Sequence, residues 1–102
     1  MEAKCNDGET PLIWASYWGH LTTVKFLVEE GHANVEAKDN DGYTPLIRAS
    51  FEGHLTTVKV LVEECHANVE AKNNSGKTPL LWASQEGHLT TVKFLVAECQ
   101  PN

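Results

Sequence analysis

The sequence repeats itself every 34 residues, and this period constrains the fold more than any other feature. TPLIWAS at residues 10–16 returns as TPLIRAS at 44–50 and as TPLLWAS at 78–84. The 102 residues divide without remainder into units 1–34, 35–68 and 69–102, and the first two units differ at only eight positions. Because one such unit buries only one side of its helices, we predict that the three units stack into a single domain covering residues 1–102.

Each unit carries the signals of two short helices joined by a tight link. Asn-Asp-Gly or Asn-Ser-Gly marks a turn, and a Thr-Pro pair then supplies a helix N-cap and a first helical residue. In the first unit, Gly19 is predicted to end the first helix, and a second helix is predicted to begin near Thr22 and to end at Gly31. The predicted fold class is all-α: a helix-turn-helix solenoid of three stacked repeats with β-turn or hairpin-like loops.

Composition argues against several classes of function. A formal net charge of −6 and a pI near 5.2 disfavour binding to nucleic acid or to an anionic membrane surface. No apolar run approaches the roughly 20 residues of a membrane span, and the first ten residues do not resemble a signal peptide. The three cysteines show no disulfide-like spacing, so we predict free thiols and an intracellular, cytoplasmic protein.

The five histidines and three cysteines do not indicate a metal site. Equivalent residues of stacked units lie roughly 10 Å apart, so His20, His54 and His88 cannot share one ion and are predicted to be structural link residues. The sequence also has no glycine-rich phosphate loop after a strand. We therefore predict no metal, no cofactor and no catalysis.

The units resemble the ankyrin repeat over the whole chain. The family pattern is a glycine turn, Thr-Pro-Leu-His-x-Ala, a Gly-His-Leu link and a second helix rich in valine and leucine. The matching residues of the second unit are Gly42, Thr44, Pro45, Leu46, Ala49, Gly53, His54, Leu55, Val58 and Leu61. The chain departs from the pattern in three ways: isoleucine or leucine replaces the histidine, each unit has a surplus residue within GHANV, and the terminal units are near-copies of the middle one.

The positions that differ most between units are the turn tips and three sites on the first helix. Residues that pack against an equivalent neighbour must repeat, whereas a residue free of that constraint is available to a partner. The resemblance implies that these positions line a concave partner-binding face, and aromatic residues with arginine are typical of binding hot spots. The candidate partner-binding residues are Glu9, Trp14, Tyr17, Trp18, Tyr43, Arg48, Phe51, Glu52, Lys77, Trp82, Gln85 and Glu86. For Trp14 and Trp82, the alternative is that they fill space between neighbouring first helices.

We therefore predict a non-catalytic protein–protein interaction module that presents a concave recognition surface to a protein partner. The alternative is an engineered or excised repeat scaffold that stacks or self-associates and has no natural ligand. The last helix favours this alternative, because it repeats the interior pattern where a polar cap is expected. A homo-oligomer would then form through uncapped ends, with Leu89, Val92, Phe94 and Val96 as candidate self-association residues.

Overall fold

The computed structural model describes residues 8–99, which contain six helices and no strand. The helices are α1 (Pro11–Trp18), α2 (Leu21–Glu29), α3 (Pro45–Phe51), α4 (Leu55–Glu63), α5 (Pro79–Gln85) and α6 (Leu89–Cys99). The first helix of each unit packs against the first helix of the next, and the second helices pack in the same order. The predicted all-α stack is confirmed, with α1, α3 and α5 in one layer and α2, α4 and α6 in the other.

The start of each first helix follows the predicted Thr-Pro signal. The hydroxyl oxygen of Thr10 accepts a hydrogen bond from the amide of Ile13 at 3.2 Å, and Thr44 and Thr78 cap α3 and α5 in the same way. Proline follows at the first helical position, where the missing N–H leaves no bond unmade. These caps fix where each first helix begins.

The end of the second helix differs from the prediction. Gly31 does not take a left-handed conformation; that conformation falls on His32, at φ 53°, and on its equivalent His66, at φ 58°. The amides of Glu30 and Gly31 both bond to the carbonyl of Phe26, at 2.8 and 3.1 Å. Sharing one acceptor widens the last turn of α2, and the amides of Glu64 and Cys65 share the carbonyl of Val60 in the same way. In the first two units this widened turn accommodates the surplus residue.

A histidine joins each unit to the one before it. The Nε2 atom of His54 lies 2.9 Å from the carbonyl oxygen of Tyr17, and Nε2 of His88 lies 2.8 Å from that of Phe51. Because a carbonyl can only accept, each bond requires the ring proton on Nε2. His54 and His88 are therefore structural link residues, as predicted, whereas His20 of the first unit is exposed.

The glycine beneath each histidine is required by space as well as by backbone conformation. Gly53 has φ +73°, and a Cβ built on it would lie 2.5 Å from Nδ1 of His88. Gly19 lies under His54 in the same way, with the added Cβ at 2.7 Å. Gly87 has the same positive φ but no atom within 4 Å of the added Cβ. Within residues 8–99, the histidine contact is made at Gly19 and Gly53, the two glycines that the next repeat covers.

The turn tips are hairpin-like, as predicted, and each one contacts the next. The amide of Asp39 bonds to the carbonyl of Tyr43 at 3.1 Å, which closes the loop that Gly42 turns at φ 85°. One repeat further on, Asn74 bonds to its neighbour twice, from its amide to the carbonyl of Asp41 at 2.9 Å and from its side chain to the carbonyl of Asn40 at 3.0 Å. The loops therefore stack in register with the helices.

The core lies between the two helical layers and continues across the junctions. Its largest fully buried apolar side chains are Leu12, Ile13, Val24, Leu46, Ile47, Val58, Leu61 and Leu95. Ile13 and Ile47, which occupy the position where the family has histidine, are both 0% exposed. Apolar packing therefore replaces a polar contact at this position.

Replacing the glycine under a histidine should destabilise the fold more than replacing an open glycine. Gly53→Ala incurs left-handed strain of about 1–2 kcal/mol and forces His88 to move, which costs about 1–3 kcal/mol more. Gly87→Ala carries a similar strain without the clash. We expect Gly53→Ala to lower the free energy of unfolding, measured by urea denaturation, by at least about 1 kcal/mol more than Gly87→Ala. Equal losses would show that the histidine contact does not constrain this position.

Candidate partner-binding surface

The predicted partner-binding residues form two side-chain clusters on the outer side of the first helices. The first cluster lines a pocket of about 300 Å³, and its members are Glu9, Trp14, Tyr17, Trp18 and Arg48. The second cluster joins Tyr43, Phe51, Lys77, Trp82 and Gln85 through ring contacts and hydrogen bonds. The two clusters meet at Arg48 and Tyr43, whose side chains are stacked.

Arg48 organises the first cluster and connects two repeats. Its Nη2 atom donates to Asp39 Oδ2 at 3.0 Å and lies 3.9 Å from Glu9 Oε2. The guanidinium carbon lies 4.0 Å from the ring centroid of Tyr43 and 5.8 Å from that of Tyr17. With its side chain only 17% exposed, Arg48 is held by acidic groups and aromatic rings on several sides, so it orders the floor of the pocket.

Asp39 is the residue of this site that the sequence prediction missed. Its Oδ1 atom accepts the amides of Asp41 and Tyr43, at 3.0 and 2.9 Å, while Oδ2 binds Arg48. Asp39 varies between units, as the turn-tip residues do, but sequence variation does not indicate which partner a carboxylate faces. In the third unit Asn73 accepts the two equivalent amide hydrogen bonds, and Trp82 occupies the position that Arg48 has in the second unit.

Three aromatic rings form the wall of the pocket. The indoles of Trp14 and Trp18 are nearly parallel, with their centroids 6.3 Å apart and their planes inclined by 10°. The ring of Tyr17 meets both edge-on, at 6.3 Å from Trp14 and 4.8 Å from Trp18. Trp18 is 54% exposed and Tyr17 is half-buried, so this wall is accessible to a partner.

The second cluster is more closely packed. The ring of Phe51 lies 4.7 Å from Trp82 and 6.4 Å from Tyr43, and Lys77 Nζ lies 4.5 Å above the ring of Trp82. Lys77 also donates to Oε1 of Gln85 at 2.9 Å. Trp82 is only 8% exposed, so it supports the surface from below and fills space between neighbouring first helices, which is the alternative left open for it.

The remaining predicted residues lie just after the first helices. Glu52 is half-buried at the end of α3, whereas Glu86 is exposed at the end of α5. The side-chain amide of Gln85 donates to Oε2 of Glu86 at 3.4 Å. Glu86 and Gln85 therefore extend the surface past the second cluster.

The four candidate self-association residues do not share one exposed face. Leu89 is 63% exposed and Val96 is 38% exposed, whereas Val92 and Phe94 are half-buried and pack against the core. Val92 and Phe94 are therefore less accessible for self-association than Leu89 and Val96, because α6 turns them partly toward the rest of the stack. Leu81, at 53% exposed, lies in the third unit and was not predicted.

The described residues show no arrangement for metal chemistry. No group of three or more histidine, cysteine, aspartate or glutamate side chains between residues 8 and 99 is placed to hold an ion. Cys65 and Cys99 are free thiols, as predicted, and Cys5 lies outside the described residues. None of the helices in residues 8–99 has the length and apolar character needed to cross a bilayer.

Both described cysteines sit in surroundings that disfavour the thiolate. Burial raises the pKa of the Cys65 thiol, and the negative charges of Glu64 and Glu29 raise it further. Burial likewise raises the pKa of Cys99, followed by the charge and the hydrogen bond of Glu70 and then the charge of Glu98. Because only the thiolate is nucleophilic, these groups are poorly reactive near neutral pH.

Removing one acidic neighbour should make Cys65 more reactive. Glu64→Gln lowers the pKa of Cys65, so the thiolate fraction at pH 8 rises and alkylation by iodoacetamide becomes faster. Site-resolved mass spectrometry separates Cys65 from Cys99, which serves as the internal control. An unchanged Cys65 rate in Glu64→Gln would show that the acidic neighbour has no effect on this thiol.

Asp39→Asn should weaken the link between Arg48 and the turn tip while leaving the turn intact. Asparagine keeps the amide contacts, as Asn73 does, but loses the charged bond to Arg48. A hydrogen bond to a charged group contributes about 1.5–3 kcal/mol, and we expect the free energy of unfolding to fall by about 1–2 kcal/mol. The matched control Asn73→Asp should be close to neutral, and equal effects of the two changes in urea denaturation would contradict this assignment.

Comparison with known proteins agrees with the geometry. No curated protein matches the chain at a significant level. A family model that describes ankyrin repeats in three copies matches residues 1–73 and, in a second placement, residues 32–102. The two matches together cover the entire sequence, and the six helices stack in the helix-turn-helix order that such repeats require. The chain therefore belongs to the ankyrin-repeat family.

Proposed function

We propose that this chain is a non-catalytic recognition module that binds a protein partner on the surface formed by the turn tips and first helices. Ankyrin repeats are generally protein-interaction modules and are typically non-catalytic. The observation that carries the proposal is the accessible aromatic wall of Tyr17 and Trp18 beside the anchored Arg48. We also propose an intracellular, cytoplasmic location, which the free thiols of Cys65 and Cys99 support.

The chemistry of this surface supports protein recognition. Tryptophan, tyrosine and arginine are the residue types most enriched in binding hot spots. Trp18 offers a large exposed ring, and Arg48 is already immobilised by Asp39 and Tyr43. Binding then requires little further ordering of side chains, which preserves affinity.

Charge adds a preference among partners. The net charge of −6 favours the approach of a partner with a basic surface. On the proposed surface itself, Arg48 is offset by Asp39 and Glu9, and Lys77 is bonded to Gln85. We propose that the partner contributes an apolar or aromatic centre to the pocket and a basic rim around it.

A second proposed function is self-association of the chain through its ends. Leu81 and Leu89 support it, because both are large apolar residues more than half exposed on the third unit. Exposed apolar residues grouped at one end of a stack are typical of an interface. This proposal does not involve Trp18, so the two functions can be tested separately.

Trp18→Ala should remove partner binding while keeping the fold. The matched control is Phe26→Ala, because Phe26 is also an exposed aromatic residue, 62% against 54%, but lies on a second helix. Partners captured by the immobilised chain are identified by mass spectrometry, purified and titrated against both variants, with helical circular dichroism as the folding control. We expect Trp18→Ala to raise Kd at least about tenfold, equivalent to 1.4 kcal/mol, and Phe26→Ala to leave it unchanged.

The reverse result would contradict the proposed surface. A partner that is lost with Phe26→Ala and retained with Trp18→Ala would bind an end or the second helices instead. Partners that bind both variants as tightly as the unsubstituted chain would place recognition outside both regions.

A further inference from the structure

Burial at equivalent positions of the three units identifies two unpaired faces. On the side of the second unit that faces the following repeat, Ile47 is completely buried and Val62 is only 9% exposed. In the last unit the equivalents Leu81 and Val96 are 53% and 38% exposed. Within residues 8–99, no further helix pair packs against these two side chains, and this accounts for the difference. We call this side of the third unit, with Leu81, Ser84, Gly87, Leu89 and Val96, the trailing face.

The first unit shows the opposite pattern. In the second and third units, the residues on the side that faces the preceding repeat are buried: Thr57 is 2% exposed, Val60 is 8% exposed and Thr91 is 0% exposed. In the first unit the equivalent Thr23 is exposed and Phe26 is 62% exposed. We call this side of the first unit, with Pro11, Trp14, His20, Thr23 and Phe26, the leading face.

The two faces have the composition of an existing junction. The leading face of the first unit repeats, residue for residue, the side of the third unit that docks on the second: Pro79, Trp82, His88, Thr91 and Phe94. The trailing face repeats the corresponding side of the second unit, Ile47, Ser50, Gly53, Leu55 and Val62, with the single change of isoleucine to Leu81. The chain thus carries both halves of its own second junction on opposite ends.

The polar part of that junction is also available. His88 bonds to the carbonyl of Phe51 and covers Gly53, whereas the equivalent Gly87 has nothing within 4 Å of an added Cβ. His20, which is exposed, is the histidine that the leading face offers. Gly76 is open in the same way, although its equivalent Gly42 is covered by Asn74.

We propose that a second copy of this chain docks its leading face on the trailing face of the first, in continuation of the stack. This rests on the self-association proposed above and specifies its geometry. In the junction between copies, Nε2 of the second copy's His20 donates to the carbonyl of Gln85 in the first, and its ring covers Gly87. Phe26 and Thr23 of the second copy become buried together with Leu81 and Val96 of the first.

The proposed interface joins two different surfaces, so it leaves one leading and one trailing face free in every assembly. Such a head-to-tail contact forms open chains that lengthen with concentration, whereas a contact between two identical faces closes at a dimer. The outer edge of the new junction differs from the internal one, since Gln85 and Lys77 replace Phe51 and Tyr43. The contact between copies is therefore expected to be weaker than the internal junction.

Two blocked variants of the full chain distinguish these geometries. Phe26→Glu blocks the leading face and Leu81→Glu blocks the trailing face, each at a side chain that is more than half exposed, and the shared charge prevents the blocked faces from pairing. Thr23→Glu and Val96→Glu are second variants for the same faces, and helical circular dichroism verifies folding. Sedimentation velocity is measured for the unsubstituted chain, for each variant alone and for their equimolar mixture.

We expect the unsubstituted chain to form larger species as its concentration rises, each variant alone to remain monomeric, and the mixture to form a one-to-one dimer. A dimer of Phe26→Glu alone would show that two trailing faces pair, and a dimer of Leu81→Glu alone would show that two leading faces pair. Either result overturns the head-to-tail geometry while retaining self-association. A monomeric unsubstituted chain at every concentration overturns both.

Discussion

The fold depends on one contact that recurs at each described junction: a histidine ring lies over the glycine of the preceding repeat and bonds to a carbonyl two residues before it. His54 makes this contact over Gly19, and His88 makes it over Gly53. The glycine is needed both for its positive φ and for the absence of a Cβ, so two separate constraints coincide at one position. The contact helps to set the separation and the orientation of adjacent units, together with the apolar packing between their helices.

Constraint by a neighbour explains why most of the sequence repeats and why the outer surface does not. Side chains such as Leu12 and Leu46 meet equivalent surroundings in successive units and are buried in both. Arg48 has no such counterpart, since its equivalents are tryptophans. It instead gathers Asp39, Glu9 and Tyr43 around itself, which gives the second unit a rigid polar centre between two aromatic groups. The variable positions thus form an ordered surface and not a set of independent side chains.

Variation between units indicated which positions lie on this surface. It does not distinguish a variable position that is exposed from one that the preceding repeat covers. Trp14 and Trp82 are the same residue at equivalent positions, yet one is 44% exposed and the other 8%. The difference comes from the repeat that precedes Trp82, not from the residue itself. In the third unit, Phe94 is likewise half-buried, whereas Leu81, Leu89 and Val96 are exposed.

The sequence by itself determined the local structure and the repeat architecture, because caps, turns and hydrophobic spacing act within one unit and the same signals occur in all three units. Thr44 and Pro45 start a helix through contacts that span only a few residues. Only the tertiary structure decided that Asp39 anchors Arg48, that His66 takes the left-handed conformation at a widened helix end, and which side of each unit is covered. These features depend on which groups meet across the stack. The residues adjacent in sequence to a side chain do not determine which group of another repeat will contact it.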